Sequence, residues 1–205
     1  MKQYSVLTLI TALAVCVSQF AQAQGNKEAN KLAREGAEAS KNQEWDKAIE
    51  LLRKATTLDR KYAPNLAAVY QQRGYAAANE QKFEDAIGDF SEALKINSRD
   101  PRIYEQRAAV EMKMNDYDKA LADYSEAIKL KPNEVRYYLY RSYIYETKGD
   151  VKNSLADIER ALKLDPGNAE AKSREARLKA RQALTAPPTP IPSSPRPSPA
   201  ATKSP

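Results

Sequence analysis

Apolar positions in the middle of this sequence recur with two periods at once. Trp45, Phe83, Tyr117 and Val151 stand 38, 34 and 34 residues apart. At constant offsets after each come a small residue, a large apolar one and an alanine: Ala48, Leu52, Ala55; Ala86, Phe90, Ala93; Ala120, Tyr124, Ala127; Ser154, Ile158, Ala161. Offsets of three and four place each set on one face of an α-helix. Nine residues ahead of each head is a further small residue, Gly36, Gly74, Ala108 or Ser142, and four before that Leu32, Tyr70, Tyr104 or Tyr138. The long period therefore predicts four helix pairs, helix A then helix B, in which small residues let the two backbones approach and large ones fill the space between neighbouring pairs. A composition of six Gly in 205 residues, rich in Ala, Leu, Lys, Glu and Arg, favours helices throughout.

These residues resemble the tetratricopeptide repeat, a 34-residue helix-turn-helix unit. The resemblance covers residues 29–168, about two-thirds of the chain. It implies an all-α fold, a right-handed α-α superhelix of four repeats at 29–62, 67–100, 101–134 and 135–168. The closing proline of the pattern is present as Pro132 and Pro166, while Arg60 and Ser98 replace it after the first two units. Asp100 followed by Pro101 is a favourable helix start. Four extra residues around Ala63 to Leu66 are one helical turn, so helix A of the second unit is expected to begin early, near Pro64, the alternative being a kinked or looped insertion. Residues 169–184 resume a helical pattern, with Ala169, Ala176, Ala180 and Leu184 among charges, and read as a capping helix with a polar outer face. From Thr185 to Pro205 eight of the 12 prolines occur, so a disordered, extended tail is expected there.

The first residues follow another logic. Lys2 precedes a 12-residue apolar run, Val6 to Val17, ending at Ala21-Gln22-Ala23, which reads as a secretory signal peptide over residues 1–23 with cleavage after Ala23. Twelve residues fall short of the roughly 20 that span a bilayer, so no transmembrane helix is expected in the mature chain. Lipidation at Cys16 is disfavoured by the bulky Val15 before it. Residues 24–28 read as a short linker. Processing removes Lys2 and the one cysteine, leaving a net charge of 6 − 1 = +5 and no thiol or histidine. That suits an oxidising compartment. With no Asn-x-Ser/Thr sequon, a bacterial periplasm or the secreted space is the expected location.

Without Cys or His, the mature chain lacks disulfides, zinc-finger ligands and the histidine base of most hydrolases. No phosphate-cradling glycine loop, nucleophile elbow or calcium loop occurs in residues 24–205. The expectation is a protein that is not an enzyme and has no cofactor, metal or catalytic residue. The positive charge is spread among 27 acids rather than gathered in a stripe, so no nucleic-acid partner is expected, while peripheral association with the envelope is an open alternative.

Arg73, Arg107 and Arg141 each precede a small residue of helix A, and Asp89, Asp123 and Asp157 follow sixteen residues later in helix B. Either these pairs bridge helix A to helix B, or one unit to the next, or they form a ladder for ligand ions; threefold recurrence favours the bridge. The resemblance further implies a concave groove lined by helix A. Carried over, it points to Asn30, Ala33, Ala37 and Lys41 in the first unit and to Ala68, Gln71, Tyr75 and Asn79 in the second. The third gives Arg102, Glu105, Ala109, Met112 and Lys113, and the fourth Arg136, Leu139, Tyr143 and Glu146. Tyr75, Met112, Leu139 and Tyr143 offer apolar anchors, and Arg102, Lys113 and Arg136 could pair with a carboxylate. Of the tyrosines in the last helix A, Tyr138 and Tyr145 are expected in the core, Tyr143 in the groove and Tyr137 or Tyr140 exposed. Where the family's binders of chaperone tails carry Lys and Asn in the first unit, this chain has Ala33 and Ala37, so that specialised clamp is not expected. The expected function is an adaptor that holds a partner protein or peptide segment, with a structural spacer acting through the proline-rich tail as the alternative.

Overall fold

A computed structural model describes the backbone of residues 2–185 and the side chains of residues 22–184. The helices are α1 (Lys2–Lys41), α2 (Trp45–Leu58), α3 (Ala63–Asn79), α4 (Phe83–Ile96), α5 (Pro101–Lys113), α6 (Tyr117–Leu130), α7 (Val135–Thr147), α8 (Val151–Leu164) and α9 (Ala169–Thr185). Successive hairpins α1/α2, α3/α4, α5/α6 and α7/α8 stack into a solenoid, and α9 closes it against α8. Among the described residues no helix is long and apolar enough to cross a membrane. The segment 24–28, expected as a linker, is helical, because α1 continues without a break from the region read as an export signal into the first repeat. The proline-rich segment lies outside the described residues from position 186 onward.

Each hairpin is held by the close contact that the small residues foretell. Leu52, Phe90, Tyr124 and Ile158 occupy one equivalent place in helix B and are 1, 1, 1 and 0% exposed. A Cβ added at Gly36 would lie 2.8 Å from Leu52 Cγ, and at Gly74 it would lie 3.1 Å from Phe90 Cε1 and 3.2 Å from the Ala86 carbonyl oxygen. In the fourth hairpin both sides change together. Ser142 and Ser154 replace the usual glycine or alanine, and their buried hydroxyls bond each other at 2.9 Å while Ser154 also donates to the Ser142 carbonyl at 3.0 Å. Burying two hydroxyls is tolerable because each finds a partner.

The turn between helix A and helix B is the same in all four hairpins. Gln43, Gln81, Asn115 and Gly149 have φ of 59, 63, 61 and 80°. This left-handed residue lets the next amide reach back across the helix end, from Glu44, Lys82, Asp116 and Asp150 to the carbonyls of Ala39, Ala77, Glu111 and Tyr145 at 2.8–2.9 Å. Only the fourth turn uses glycine, so two glutamines and an asparagine hold a backbone shape that their Cβ opposes. At the other end of the repeat, α3 starts at Ala63 after a single 3-10 turn, Arg60–Tyr62, so the extra residues lengthen the helix by about one turn. The Asp100 side chain accepts from the Arg102 amide as the cap of α5, with Pro101 opening the helix.

The Arg-Asp pairs are bridges between the helices of one hairpin. In each, Arg Nε donates to Asp Oδ2 and Nη2 to Oδ1 at 2.7–2.8 Å. Asp89, Asp123 and Asp157 are 5–6% exposed, so this fork is what makes their burial tolerable. The remaining nitrogen crosses to the preceding repeat: Arg107 Nη1 reaches Ser91 Oγ at 2.9 Å and Arg141 Nη1 reaches Ser125 Oγ at 3.0 Å. At the first junction the equivalent of Ser91 is Arg53, which would repel a guanidinium. There Arg53 donates to the Tyr70 hydroxyl, and Arg73 turns instead to the exposed Asp46 at 2.6 Å. Each arginine thus fastens both its own hairpin and the one before it.

Replacing Asp123 by Asn leaves half of the fork unpaired and is expected to lower stability by about 2–3 kcal/mol in chemical denaturation, whereas Asp118→Asn, at an exposed pair with Lys148, changes it by less than about 0.5 kcal/mol. Gln81→Gly relieves a left-handed glutamine and is expected to raise stability by about 1 kcal/mol, with Gly149→Ala lowering it by a similar amount, both read by chemical denaturation.

Candidate functional site

Stacking the hairpins sets the A helices side by side on one face of the solenoid, and the contacts between them decide which residues stay open. Counting from the small residue of each helix A, the position three before it is taken up by the next repeat. Gln71 Nε2 donates to Gln106 Oε1 at 2.6 Å, and Glu105 accepts from Arg136 Nη1 at 3.1 Å. Leu139 is only 7% exposed and packs in the core shared with Leu155, Ala171 and Leu178, so the expectation that it lines the groove is corrected: α9 covers it. The open positions are instead those two before and one after the small residue. They bring out Gln72 and Tyr75 on α3, Gln106 and Ala109 on α5, and Tyr140 and Tyr143 on α7.

Ala33, also expected in the groove, is instead 6% exposed and packs in the core of the first hairpin, while several of the other expected residues fall in two clefts or on the rim. Tyr75, 55% exposed, and Asn79 line a cleft of about 480 Å³ with Trp45, Gln71, Gln72 and Gln106. Met112, Lys113 and Tyr143 line a second, of about 290 Å³, with Ala109, Tyr117, Tyr124 and Tyr140. Arg102 lies at the rim, turned back onto its own cap Asp100 at 2.7 Å, and Arg136 is shared between Glu105 and Glu134 at 3.1 Å to each. Of the tyrosines on α7, Tyr137 and Tyr138 are buried, Tyr145 is half-buried, and Tyr140 and Tyr143 are 42% and 44% exposed.

Aromatic faces and fixed cations set the chemistry of the second cleft. Tyr140 stacks on Tyr124 with centroids 5.4 Å apart and planes 26° apart. Burial pushes the Tyr124 phenol well above the usual tyrosine range, and Tyr137 behind it is pushed up to about 12, first by burial and then by Glu105. Both stay neutral at physiological pH. Lys113 Nζ lies over the Phe83 ring at 5.6 Å, and the Arg174 guanidinium lies over Tyr143 at 5.5 Å. Arg174 also donates to the Leu139 carbonyl at 3.0 Å, and its neighbour Arg177 grips Glu146 through both carboxylate oxygens at 2.8–2.9 Å. The capping helix therefore completes the groove as a fifth helix A, burying Ala171 and Leu178 inward, while Ala176, Ala180 and Leu184 are exposed.

One acid lies beneath this floor. Glu111, next to Met112 on α5, is 3% exposed and its Oε2 has no hydrogen-bond partner. It stands where α3 and α1 have Ala77 and Ala39. Burial, then the nearby Asp123 carboxylate, raises it from an ordinary value of 4.5 to about 7, against the opposing pull of Arg107 and Lys119; Asp116 adds to the rise. Among the described residues no group of three His, Cys, Asp or Glu could hold a metal ion.

Residues 106–169 match the family model of the tetratricopeptide repeat. Among solved structures, the chain is similar to the tetratricopeptide domain of Arabidopsis OM64, with a TM-score of 0.53 and 29% identity over 58% of this chain and 98% of that one. The second such domain of human RPAP3, solved in complex with the HSP70 peptide SGPTIEEVD, matches with a TM-score of 0.52 and 25% identity over 57% of this chain and 98% of that one. The crystal structure of MamA shares the fold at a TM-score of 0.58 and 16% identity over 77% of this chain and 84% of that one. No curated protein matches the sequence.

Because the folded state prefers Glu111 protonated, the stability it carries is fully present below pH 4.5 and is lost as pH rises through about 7. Glu111→Gln is therefore expected to be more stable than the parent by roughly 2–3 kcal/mol at pH 8 and equal to it near pH 4.5, read as the difference between paired denaturation curves at each pH.

Proposed function

We propose, from a solenoid whose residues 106–169 match the tetratricopeptide repeat, that this protein is a scaffold without catalytic activity that holds a segment of a partner polypeptide along the A helices. The observation that carries this reading is the placement of Tyr75, Tyr140 and Tyr143. They are three of the six large apolar residues left exposed among those described, and all three lie on the concave row. Tyrosine at this exposure supplies apolar area with few rotamers to freeze and a hydroxyl for a backbone carbonyl, the composition of a binding surface rather than of a stray patch. Amide side chains of Gln72, Asn79 and Gln106 beside the first cleft add donors and acceptors for an extended backbone. That RPAP3 was solved with a peptide in a domain of this fold supports the use of such a surface for peptides.

The place of action is the cell envelope or the space outside it, with a bacterial periplasm favoured by the sequence. The apolar run from Val6 to Val17 and the Ala21-Gln22-Ala23 site support this reading. Cleavage after Ala23 would shorten α1 at its beginning and leave Ala29, Ala33 and Gly36, the buried small residues of the first hairpin, in place.

Crosslinking in the native envelope followed by capture tests the proposal. Tyr75→Ala combined with Tyr143→Ala removes two exposed rings and is expected to preserve the melting temperature to within a few degrees while reducing recovery of the specific partner at least tenfold, the loss of about 1.4 kcal/mol or more. Equal recovery of every captured protein by both forms would remove the groove from the account. Deletion of residues 186–205 separates the spacer reading: a scaffold keeps its partner, whereas a spacer that acts through the tail loses it.

A further inference from the structure

The cleft between α5 and α7 is built for a particular kind of chain. Its walls are the stacked pair Tyr124 and Tyr140, with Tyr143 and Tyr117 beside them and Met112 below, around a space of about 290 Å³. No carboxylate lines it. The cations nearby are occupied, Lys113 over Phe83 and Arg174 over Tyr143 and at the Leu139 carbonyl. What remains on offer is aromatic face and phenol donors. A polyproline helix has the matching surface, because its rings pack flat on tyrosine faces and its carbonyls, which make no internal hydrogen bonds, accept from hydroxyls.

This chain carries such a segment directly after α9. Residues 186–192 read Ala-Pro-Pro-Thr-Pro-Ile-Pro and hold no charge, while the cations of the following residues, Arg196 and Lys203, come later. We propose that residues 186–192 dock in the tyrosine cleft of their own solenoid. The reach is sufficient. Thr185 ends α9 one turn beyond Arg181, the residue that corresponds along the solenoid to Thr147 at the end of α7, the helix that carries Tyr140 and Tyr143. Thr185 lies about eight residues, roughly 12 Å, beyond the level of Tyr143, and packed helices lie about 8–10 Å apart, so the cleft is roughly 15–20 Å from that exit and is reached by the far end of the segment, Pro190 to Pro192. Seven residues of polyproline helix span about 22 Å. Charge does not oppose this register, because residues 186–192 carry none and the guanidiniums of Arg174 and Arg177 at the rim are already paired with Glu170 and Glu146. A partner that uses the same cleft must displace the docked segment, so its apparent affinity falls by the fraction of molecules in which the cleft is filled.

The inference rests on the groove being a peptide site, and the experiment separates the two. In the full chain labelled with 13C at isoleucine methyl groups, Ile191 is the one isoleucine of residues 186–205 and can be assigned by Ile191→Val. Docking places its methyl group against tyrosine rings, so its resonance is expected upfield of the random-coil position, unchanged on dilution, and back at random coil in Tyr140→Ala/Tyr143→Ala. Where that variant fails to fold, as read from the buried Ile144 and Ile158 methyl groups, Ala109→Arg blocks the cleft from an exposed position and is expected to have the same effect. An Ile191 methyl at random coil in the unaltered chain overturns the proposal, as does an upfield shift that survives the cleft variants. A shift that disappears on dilution assigns the contact to a second copy and overturns docking within one chain. Any of these results alongside intact partner capture leaves the peptide groove standing and removes only its occupation by the tail.

Discussion

Four times along this chain the axis of one helix approaches the next across a side chain no larger than a serine. Gly36 and Gly74 lie against Leu52 and Phe90, Ala108 shares a core with Tyr124 and Ser142 bonds Ser154, and the space left at the two glycines would not hold even a methyl group at ordinary contact distance. That approach brings Arg73, Arg107 and Arg141, one residue earlier on each helix A, to the buried aspartates of helix B, where a two-toothed hydrogen bond neutralises them. The leftover guanidinium nitrogen then reaches the previous repeat, at Ser91 and Ser125 for Arg107 and Arg141 and at Asp46 for Arg73. Packing fixes the hairpin, the hairpin positions the ion pair, and the ion pair sets the relation of one hairpin to the next.

The groove is a consequence of that order. Once the A helices are aligned, the residues three before the small position are consumed between repeats, as Gln71 with Gln106, Glu105 with Arg136 and Leu139 under α9. Only the adjacent rows face outward, and there the chain has placed tyrosines, amides and a capping helix whose Arg174 and Arg177 extend the floor. A helix added only to protect the end of the core would not need a guanidinium over Tyr143. The face beside Tyr143 and the end cap are the same element seen from two sides.

Much of this was legible in the sequence because the repeat overdetermines it. The sixteen-residue separation of Arg and Asp, the four-residue extension that starts α3 at Ala63 and the Asp100-Pro101 helix start follow from spacing and local chemistry alone. Of the positions the pattern pointed to on helix A, those one after the small residue, such as Tyr75 and Tyr143, are exposed, while those three before it, Gln71, Glu105 and Leu139, are taken up between repeats or under α9, and which row opens depends on how repeats lean on each other, a property no single repeat contains. Likewise, nothing local marks Gln43 and Gln81 as left-handed, since the tight turn is imposed by the hairpin and not by a glycine. Glu111 sits where two other repeats have alanine, and only the depth of the core at that point turns an ordinary helical glutamate into a buried one. The continuous helix through residues 24–28 was missed because a polar stretch following an apolar run read as an export signal resembles a linker.

Close approach at the small residue is the claim on which the rest stands, and two glycines in the same hairpin test it against each other. Gly74 is wedged between Asp89, Phe90 and Ala86, whereas a Cβ at Gly88 on α4 would meet nothing within 4 Å. In paired calorimetric melts, Gly74→Val is predicted to destabilise the protein by about 1–3 kcal/mol through overpacking, and Gly88→Ala to stabilise it by about 0.5–1 kcal/mol through helix propensity. Equal tolerance of both substitutions would contradict the contact, and with it the ladder and the groove that the contact positions.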